Sequence, residues 1–298
     1  MRLTWCVLCV VFCALICSQA DAETIGYWRY ESDLTADSDS DFGPYDGTNY
    51  NPAAGNPGVE SGSDSGSGLW DPIPNPDEDA SEVNTSYGVF DGGDYVYTNE
   101  TGSTWEPASG FTIEAMTRFG EGGLAGDSAL VSHWREGVSG EESWQFGLTA
   151  DEKPFLRLWD SSTSSETVIT PDASISALSP NTAYALAASW DSSGEVNLYS
   201  KAKGANSWDK HTVADSGITS LVNASTAELV MGADSDGNTH FFTGDMDEVR
   251  FSSEALGEAD LLATPEPGTT CLALVAAAAG VFAVWRKKSK ENSEDEAA

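Results

Sequence analysis

Phe241-Phe242-Thr243-Gly244-Asp245-Met246-Asp247-Glu248-Val249-Arg250-Phe251-Ser252 is the stretch whose reading decides the fold. Val249 and Phe251 share one parity, as residues on one face of a β-strand must, and Met246 has the other. All three can be buried only if the strand changes phase between Met246 and Val249. A β-bulge at Asp247 or Glu248 would do that, adding one residue and re-aiming the side chains around it. The reading is a core strand with a carboxylate-bearing irregularity, followed by a short helical turn at Ser253-Glu254-Ala255-Leu256. Whether those carboxylates carry chemistry is the functional question.

Working outward, short strand signals fill the sequence from Tyr87 onward. Tyr87-Gly88-Val89-Phe90 and Asp94-Tyr95-Val96-Tyr97 flank the turn Asp91-Gly92-Gly93. Phe111-Thr112-Ile113-Glu114-Ala115-Met116-Thr117-Arg118-Phe119 alternates apolar with polar. Ala129 to Trp134, Ser143 to Leu148, Pro154 to Trp159 and, more weakly, Thr167 to Thr170 are further strands. Ala183 to Trp190 and Glu195 to Ser200 flank the hairpin loop Asp191-Ser192-Ser193-Gly194. Around a dozen short strands with turns between them and no sustained helical period predict an all-β, antiparallel two-sheet sandwich. Ile25 to Glu31 is an aromatic-rich strand, and residues 32–86 form a long acidic Gly/Ser/Pro-rich insertion without periodicity.

The chain's 298 residues carry 48 Asp or Glu against 14 Lys or Arg, a net charge of −34. Such a body disfavours nucleic acid and anionic lipid surfaces as partners. Residues 1–22 have the parts of a signal peptide: Arg2, an apolar run from Leu3 to Cys17, and Ala20-Asp21-Ala22 before Glu23. Cys6, Cys9, Cys13 and Cys17 leave with it, and Cys271 lies in a C-terminal apolar segment. The exported body, about 240 residues without a disulfide, must then hold together by core packing or bound ions.

The order of these strands is similar to that of laminin-G-like, concanavalin-A-like jelly rolls. Tyr184 to Tyr199, with its Trp190-Asp191 turn, resembles the family's hairpin in which a buried strand ends in Trp-Asp and returns to a Tyr. Leu229-Val230-Met231-Gly232 and Phe242 to Phe251 resemble its closing pair, with Met246 in place of the usual Ile. Phe111 to Ala115 and Phe90 to Val96 fit as well, so the resemblance covers residues 23–262. It implies a jelly-roll domain that binds carbohydrate or mediates adhesion. A matrix protein with a purely structural role is the alternative, and a glycoside hydrolase a more distant one.

At the other end, Thr264-Pro265-Glu266-Pro267-Gly268 precedes an apolar stretch from Thr269 to Trp285, then Arg286-Lys287-Lys288-Ser289-Lys290 and the acidic tail 291–298. Residues 269–285 are at the lower limit for a single transmembrane helix, and the cations behind them suit a cytoplasmic end. Pro265, Glu266 and Pro267, the span, and Arg286, Lys287 and Lys288 in that order resemble a PEP-CTERM sorting signal over residues 264–290. The resemblance implies an exosortase-type protease and secretion machinery as partners. It also implies an inner-membrane intermediate and final placement on the cell surface or in the extracellular matrix of a Gram-negative-type bacterium.

Catalysis is not expected. Retaining glycoside hydrolysis needs two carboxyls about 5–5.5 Å apart, a spacing that Asp245 and Asp247 could approach on one face of a strand. The Glu-x-Asp-x-x-Glu pattern of hydrolytic jelly rolls is broken here by Asp245 and Arg250. A structural role has Asp247 bonding a neighbouring loop and Glu248 pairing with Arg250 or Arg29. One structural Ca2+ is the other reading, with Asp247, Asp91, Asp234 and Asp236 as the carboxylates available. Asp234-Ser235-Asp236-Gly237 and Asp91-Gly92-Gly93 are equally turn chemistry. His133, His211 and His240 are isolated. Trp105, Trp134, Trp144 and Trp159 sit at strand positions that favour burial, leaving Trp208, in a loop-like context, as the expected exposed ligand-binding platform.

Overall fold

The computed structural model describes residues 24–30, 47–50, 59–64, 68–70, 85–235, 237 and 239–264. The expected signal peptide, the membrane span 269–285, the acidic tail, Asp236, and Pro265, Glu266, Pro267, Arg286, Lys287 and Lys288 lie outside them. Among the described residues no helix is long and apolar enough to cross a membrane.

In chain order the strands are β1 (Thr24–Trp28), β2 (Gly47–Tyr50), β3 (Glu60–Gly62), β4 (Tyr87–Asp91), β5 (Tyr95–Thr101), β6 (Gly110–Arg118), β7 (Ser128–Trp134) and β8 (Glu142–Leu148). Then follow β9 (Pro154–Asp160), β10 (Ser165–Ile169), β11 (Tyr184–Asp191), β12 (Val196–Ala202), β13 (Asp209–Val213), β14 (Glu228–Met231) and β15 (Thr243–Ser252). They make two antiparallel sheets, as expected. One is eight-stranded, in the order β13-β12-β11-β6-β15-β4-β3 with β1 also on β15. The other is seven-stranded, in the order β10-β9-β8-β7-β14-β5-β2.

The alternation read in Phe111 to Phe119 becomes the register of the first sheet. Phe111, Ile113 and Ala115 stand opposite Trp190, Ala188 and Leu186 of β11, and Ile113 also opposite Phe251 of β15. All of these belong to the buried core. The ring of Phe251 lies 5.6 Å from Phe111 and 5.4 Å from Trp144 of the facing sheet, both nearly parallel to it, and 5.5 Å from Trp105 edge-on. The closing strand thus supplies the aromatic that joins the sheets, in the offset and edge geometries that ring quadrupoles favour.

The parity break of the closing strand is real. Met246, Val249 and Phe251 are all fully buried. Along one side, β15 pairs with β6, with a register shift between Asp247 and Arg250. Along the other, β4 pairs with Thr243 to Met246 and β1 pairs with Val249 to Ser252. The neighbour changes at Asp247–Glu248, and there Glu248 takes φ 49°, the left-handed region that costs a non-glycine residue about 1–2 kcal/mol.

Three expectations are corrected. Within 32–86, which shows no periodicity, β2 and β3 pair with β5 and β4 as short edge strands; an edge strand needs ladder hydrogen bonds and no apolar alternation. β13 is likewise a polar edge strand, joined to β12. The helical turn expected at Ser253 to Leu256 does not form. Thr112 Oγ1 donates to the Glu254 carbonyl and accepts the Leu256 N–H, each at 2.7 Å, which takes up polar groups of a bend at Ser253–Glu254 in place of a helical turn. The chain clusters into two compact units, Met1–Leu256 and Gly257–Ala298. The described part of the second unit holds a 3-10 turn at Glu258–Asp260, with Thr264 Oγ1 donating to the Glu258 carbonyl at 2.6 Å.

Truncating Phe251→Ala removes the ring between the two sheets and is expected to cost about 3–5 kcal/mol. Urea unfolding measures this directly; a loss under 1 kcal/mol would show that the stack does not join the sheets.

Candidate functional site

The carboxylates of the closing strand come together, and each has a partner. Asp245 accepts from Arg118 Nε at 2.7 Å, and Arg118 reaches on to Asp64 and to the Tyr87 hydroxyl. Asp247, with no exposed surface, accepts the Leu69 N–H at 3.0 Å on Oδ2 and the Glu248 N–H at 2.9 Å on Oδ1. Glu248, equally buried, accepts from the Tyr27 hydroxyl and lies 3.5 Å from Arg29 Nε. Of its two possible partners Glu248 takes Arg29, while Arg250 pairs with Glu114. Burial pushes the Glu248 carboxyl up to about 8, the distant Arg29 Nε notwithstanding. Burial also raises Asp245, against the pull of Arg118. The cluster ties β15 to β1 and to the insertion.

The other residues chosen from the sequence scatter. Asp91 Oδ1 accepts the Gly93 N–H at 3.0 Å, and Asp94 Oδ2 the Asp91 N–H at 3.2 Å. Asp234, fully buried, accepts the Thr239 N–H at 3.0 Å and the Thr239 hydroxyl at 2.5 Å. Calcium wants six to eight oxygens, whereas Asp91, Asp234 and Asp247 each face hydrogen-bond donors. Among the described residues no three His, Cys, Asp or Glu side chains gather within reach of one ion. Asp91, Asp234 and Asp247 are thus engaged separately, and Asp236 lies outside the described residues.

Trp208 is not the exposed platform expected of it. It is 8% exposed, edge-on to Tyr199 at 6.1 Å, with Lys201 Nζ 5.7 Å from its ring centroid. The reason is β13: Trp208 immediately precedes a strand that pairs with Val196 to Ser200 and is drawn in with it.

A second group of aromatics stands on the outer side of the seven-stranded sheet, where Trp134 and Phe155 are each 1% exposed and Trp159 is partly exposed. Trp144 and Phe146 of β8 and Leu156 and Leu158 of β9 face the core. Alternation therefore puts Ser143 and Gln145, and Phe155, Arg157 and Trp159, on the outer face. Trp134 of β7 joins them, edge-on to Trp159 at 5.8 Å. The Arg157 guanidinium lies 5.3 Å from the Trp134 ring centroid and 5.9 Å from that of Phe155, within cation–π range. Glu136 accepts from both Arg157 Nη1, at 3.2 Å, and Trp134 Nε1, at 3.0 Å. Glu166 stands 3.4 Å from Arg157 Nε. Trp159 and Arg157 are partly exposed.

The polar groups on this face are unusual. Gln145 Oε1 and Nε2 and Ser143 Oγ are buried without a hydrogen-bond partner, three of the seven such atoms among the described residues. Buried polar atoms are nearly always satisfied, so this concentration on one face sets it apart among the described residues. Beside it, the Asp234–Thr239 loop is fixed by Ser235 Oγ, which accepts the Trp134 N–H at 2.7 Å and donates to the Ser132 carbonyl at 3.2 Å. Gly237 packs there so closely that a Cβ would fall 2.3 Å from the Tyr95 ring.

A family model for the concanavalin A-like lectin/glucanases superfamily, in its laminin-G form, matches residues 90–261. The chain belongs to that superfamily. Among solved structures, the fold is similar to the binding domain of Paraclostridial Mosquitocidal Protein 1, at 14% identity and TM-score 0.52, covering 80% of this chain and 50% of that one. It is also similar to domain 4 of AbnA, a GH43 extracellular arabinanase from Geobacillus stearothermophilus solved with arabinotriose. There the identity is 13% and the TM-score 0.51, covering 80% of this chain and 96% of that domain. The chain thus spans about half the length of the first of these. No curated protein sequence matches it.

Within this concanavalin A-like frame, sequence reasoning missed the outer face although a signal was present. Phe155-Leu156-Arg157-Leu158-Trp159 carries large apolar side chains on both parities, and only one parity can face the core.

Glu248 gives the closing-strand cluster a pH signature. Its carboxyl is raised from the ordinary 4.5 to about 8, so across that window the folded chain holds a proton that the unfolded chain releases. Its contribution to stability is whole below pH 4.5 and is lost as pH rises toward about 8. Glu248→Gln is expected to remove this downward slope when unfolding free energy is measured against pH. An unchanged slope would place the titration elsewhere.

Proposed function

We propose that this is a carbohydrate-binding, non-enzymatic surface or matrix protein whose jelly roll holds sugar rings on the outer face of the seven-stranded sheet. The single observation that carries this is the partly exposed Trp159 on the same sheet face as buried, unpartnered Gln145 and Ser143. An aromatic face and a few convergent polar groups are what a sugar requires: its C–H face lies on the ring, and its hydroxyls pair with amides and hydroxyls. Membership of the lectin/glucanase superfamily supports the reading, as do the neighbours, one a toxin binding domain and the other an arabinanase domain solved with arabinotriose. The closing-strand carboxylates are engaged in holding the fold together, which favours binding over hydrolysis. A structural matrix role without a ligand is the competing outcome of the test.

The same proposal includes export through the signal-peptide-like residues 1–22 and retention or release through the sorting-like segment from Pro265 to Lys288, read by an exosortase-type protease. The extreme acidity, a net charge of −34, supports a soluble exterior protein rather than one that meets nucleic acid.

The purified full-length chain is expected to retain neutral oligosaccharides on a glycan array. Trp159→Ala should weaken that binding at least tenfold, about 1.4 kcal/mol, while Trp208→Ala should leave it unchanged. No retention by the wild type would favour the structural role. For sorting, replacing Pro265, Glu266 and Pro267 by alanine is expected to hold a C-terminally tagged chain in the inner-membrane fraction; normal loss of the tag would remove that segment as the signal.

A further inference from the structure

Gln145 stands directly opposite Ser132 on β7 and Arg157 on β9. The Arg157 side chain starts on β9, yet its guanidinium is in contact range of the Trp134 ring on β7. Since β8 lies between those strands, the arm passes over β8, where the outward side chains are Ser143 and Gln145. Both are fully buried, and neither the Ser143 hydroxyl nor either end of the Gln145 amide has a hydrogen-bond partner. Arg157 is held across them by Glu136 on one side and Glu166 on the other.

We infer that Ser143 and Gln145 are the hydroxyl-reading floor of a binding subsite, that Arg157 is its displaceable cover, and that the ligand is an uncharged glycan. This rests on the carbohydrate reading of the same face and specifies it. A primary amide donates through Nε2 and accepts through Oε1, which matches the paired donor and acceptor character of adjacent sugar hydroxyls. A buried amide left unpaired costs stability, and one on an otherwise packed sheet face has no structural use for both its polar ends. The uncharged class follows from the surroundings. Glu136 and Glu166 lie 3.2 and 3.4 Å from Arg157, and beside them stands Glu142, whose carboxyl is raised by burial and then by those two charges, so a sugar carboxylate or sulfate would meet three acidic side chains and a cation already engaged by two of them. Neutral hydroxyls carry no such penalty.

The test uses the purified full-length chain with arabinotriose and a neutral gluco-oligosaccharide, against an oligogalacturonate as the anionic counterpart. Gln145→Leu keeps the volume and removes the unpaired polar ends. It is expected to raise Tm by a few degrees while lowering affinity for whichever neutral sugar binds by tenfold or more. Arg157→Ser is expected to uncover the floor and tighten the same binding severalfold. A Gln145→Leu protein that melts lower shows that the amide is a structural partner, and this overturns the floor assignment whether or not any sugar binds. Wild-type affinity in Gln145→Leu overturns the floor but leaves carbohydrate binding standing. Weaker binding in Arg157→Ser overturns the cover, preference for the oligogalacturonate overturns the uncharged class, and failure of the wild type to bind any of the three sinks the carbohydrate reading itself.

Discussion

The fold depends on how one strand is shared. β15 has a continuous neighbour in β6, but its other side is divided between β4 and β1, which meet it end to end. At the handover its backbone polar groups lose regular ladder partners in a place without water, a situation that buried N–H and C=O groups do not tolerate. Asp247 resolves it from within, taking the N–H of Glu248 on one oxygen and the N–H of Leu69 on the other. The bulge, the left-handed Glu248 and the docking of the insertion are consequences of the same handover. Tyr27 and Arg29, on and just beyond β1, then close over the Glu248 carboxyl. The N-terminal strand, the insertion and the closing strand are locked at a single point.

That point was partly legible in the sequence. The conflict of parity between Met246 and Val249 is visible without coordinates because alternation is a property of the chain itself. The partners were not, because Leu69 and Tyr27 lie 178 and 221 residues away and nothing local specifies a hydrogen bond across such a separation. Edge strands were missed for a related reason: Glu60–Gly62 is held by backbone bonds to β4, and backbone bonds leave no mark on side-chain pattern. Trp208 shows the opposite error. Its neighbours Asn206, Ser207 and Asp209 are polar, which suggests a loop, yet the strand that begins at Asp209 is fixed by its partner rather than by its composition.

Acidity shapes the loops of this fold as well as its charge. With 48 acidic residues and 14 lysines and arginines, most carboxylates cannot find a cation, and several instead cap backbone N–H groups. Glu141 accepts from Thr226 and Ala227 at 2.8 and 3.0 Å, and Asp191 from Ser193 and Glu195 at 2.8 and 3.1 Å. Such bonds favour the ionised form, which is how the Thr226 and Ala227 amides hold the Glu141 carboxyl below its usual range despite burial. Glu248 is the contrast: a hydroxyl and one distant cation do not offset full burial, so its carboxyl is raised.

Against this background the placement of Arg157 matters more than its charge. Arg118 and Arg250 join strands to their neighbours through carboxylates at the closing strand, whereas Arg157 lies on an outer face above aromatic rings and two unpartnered polar side chains. Packing alone would put an apolar residue at position 145, because an amide without partners weakens the sheet it stands on. The same logic explains why the closing strand makes a poor site despite three carboxylates: there every polar group named has found a partner, and a satisfied cluster has nothing left to offer a ligand.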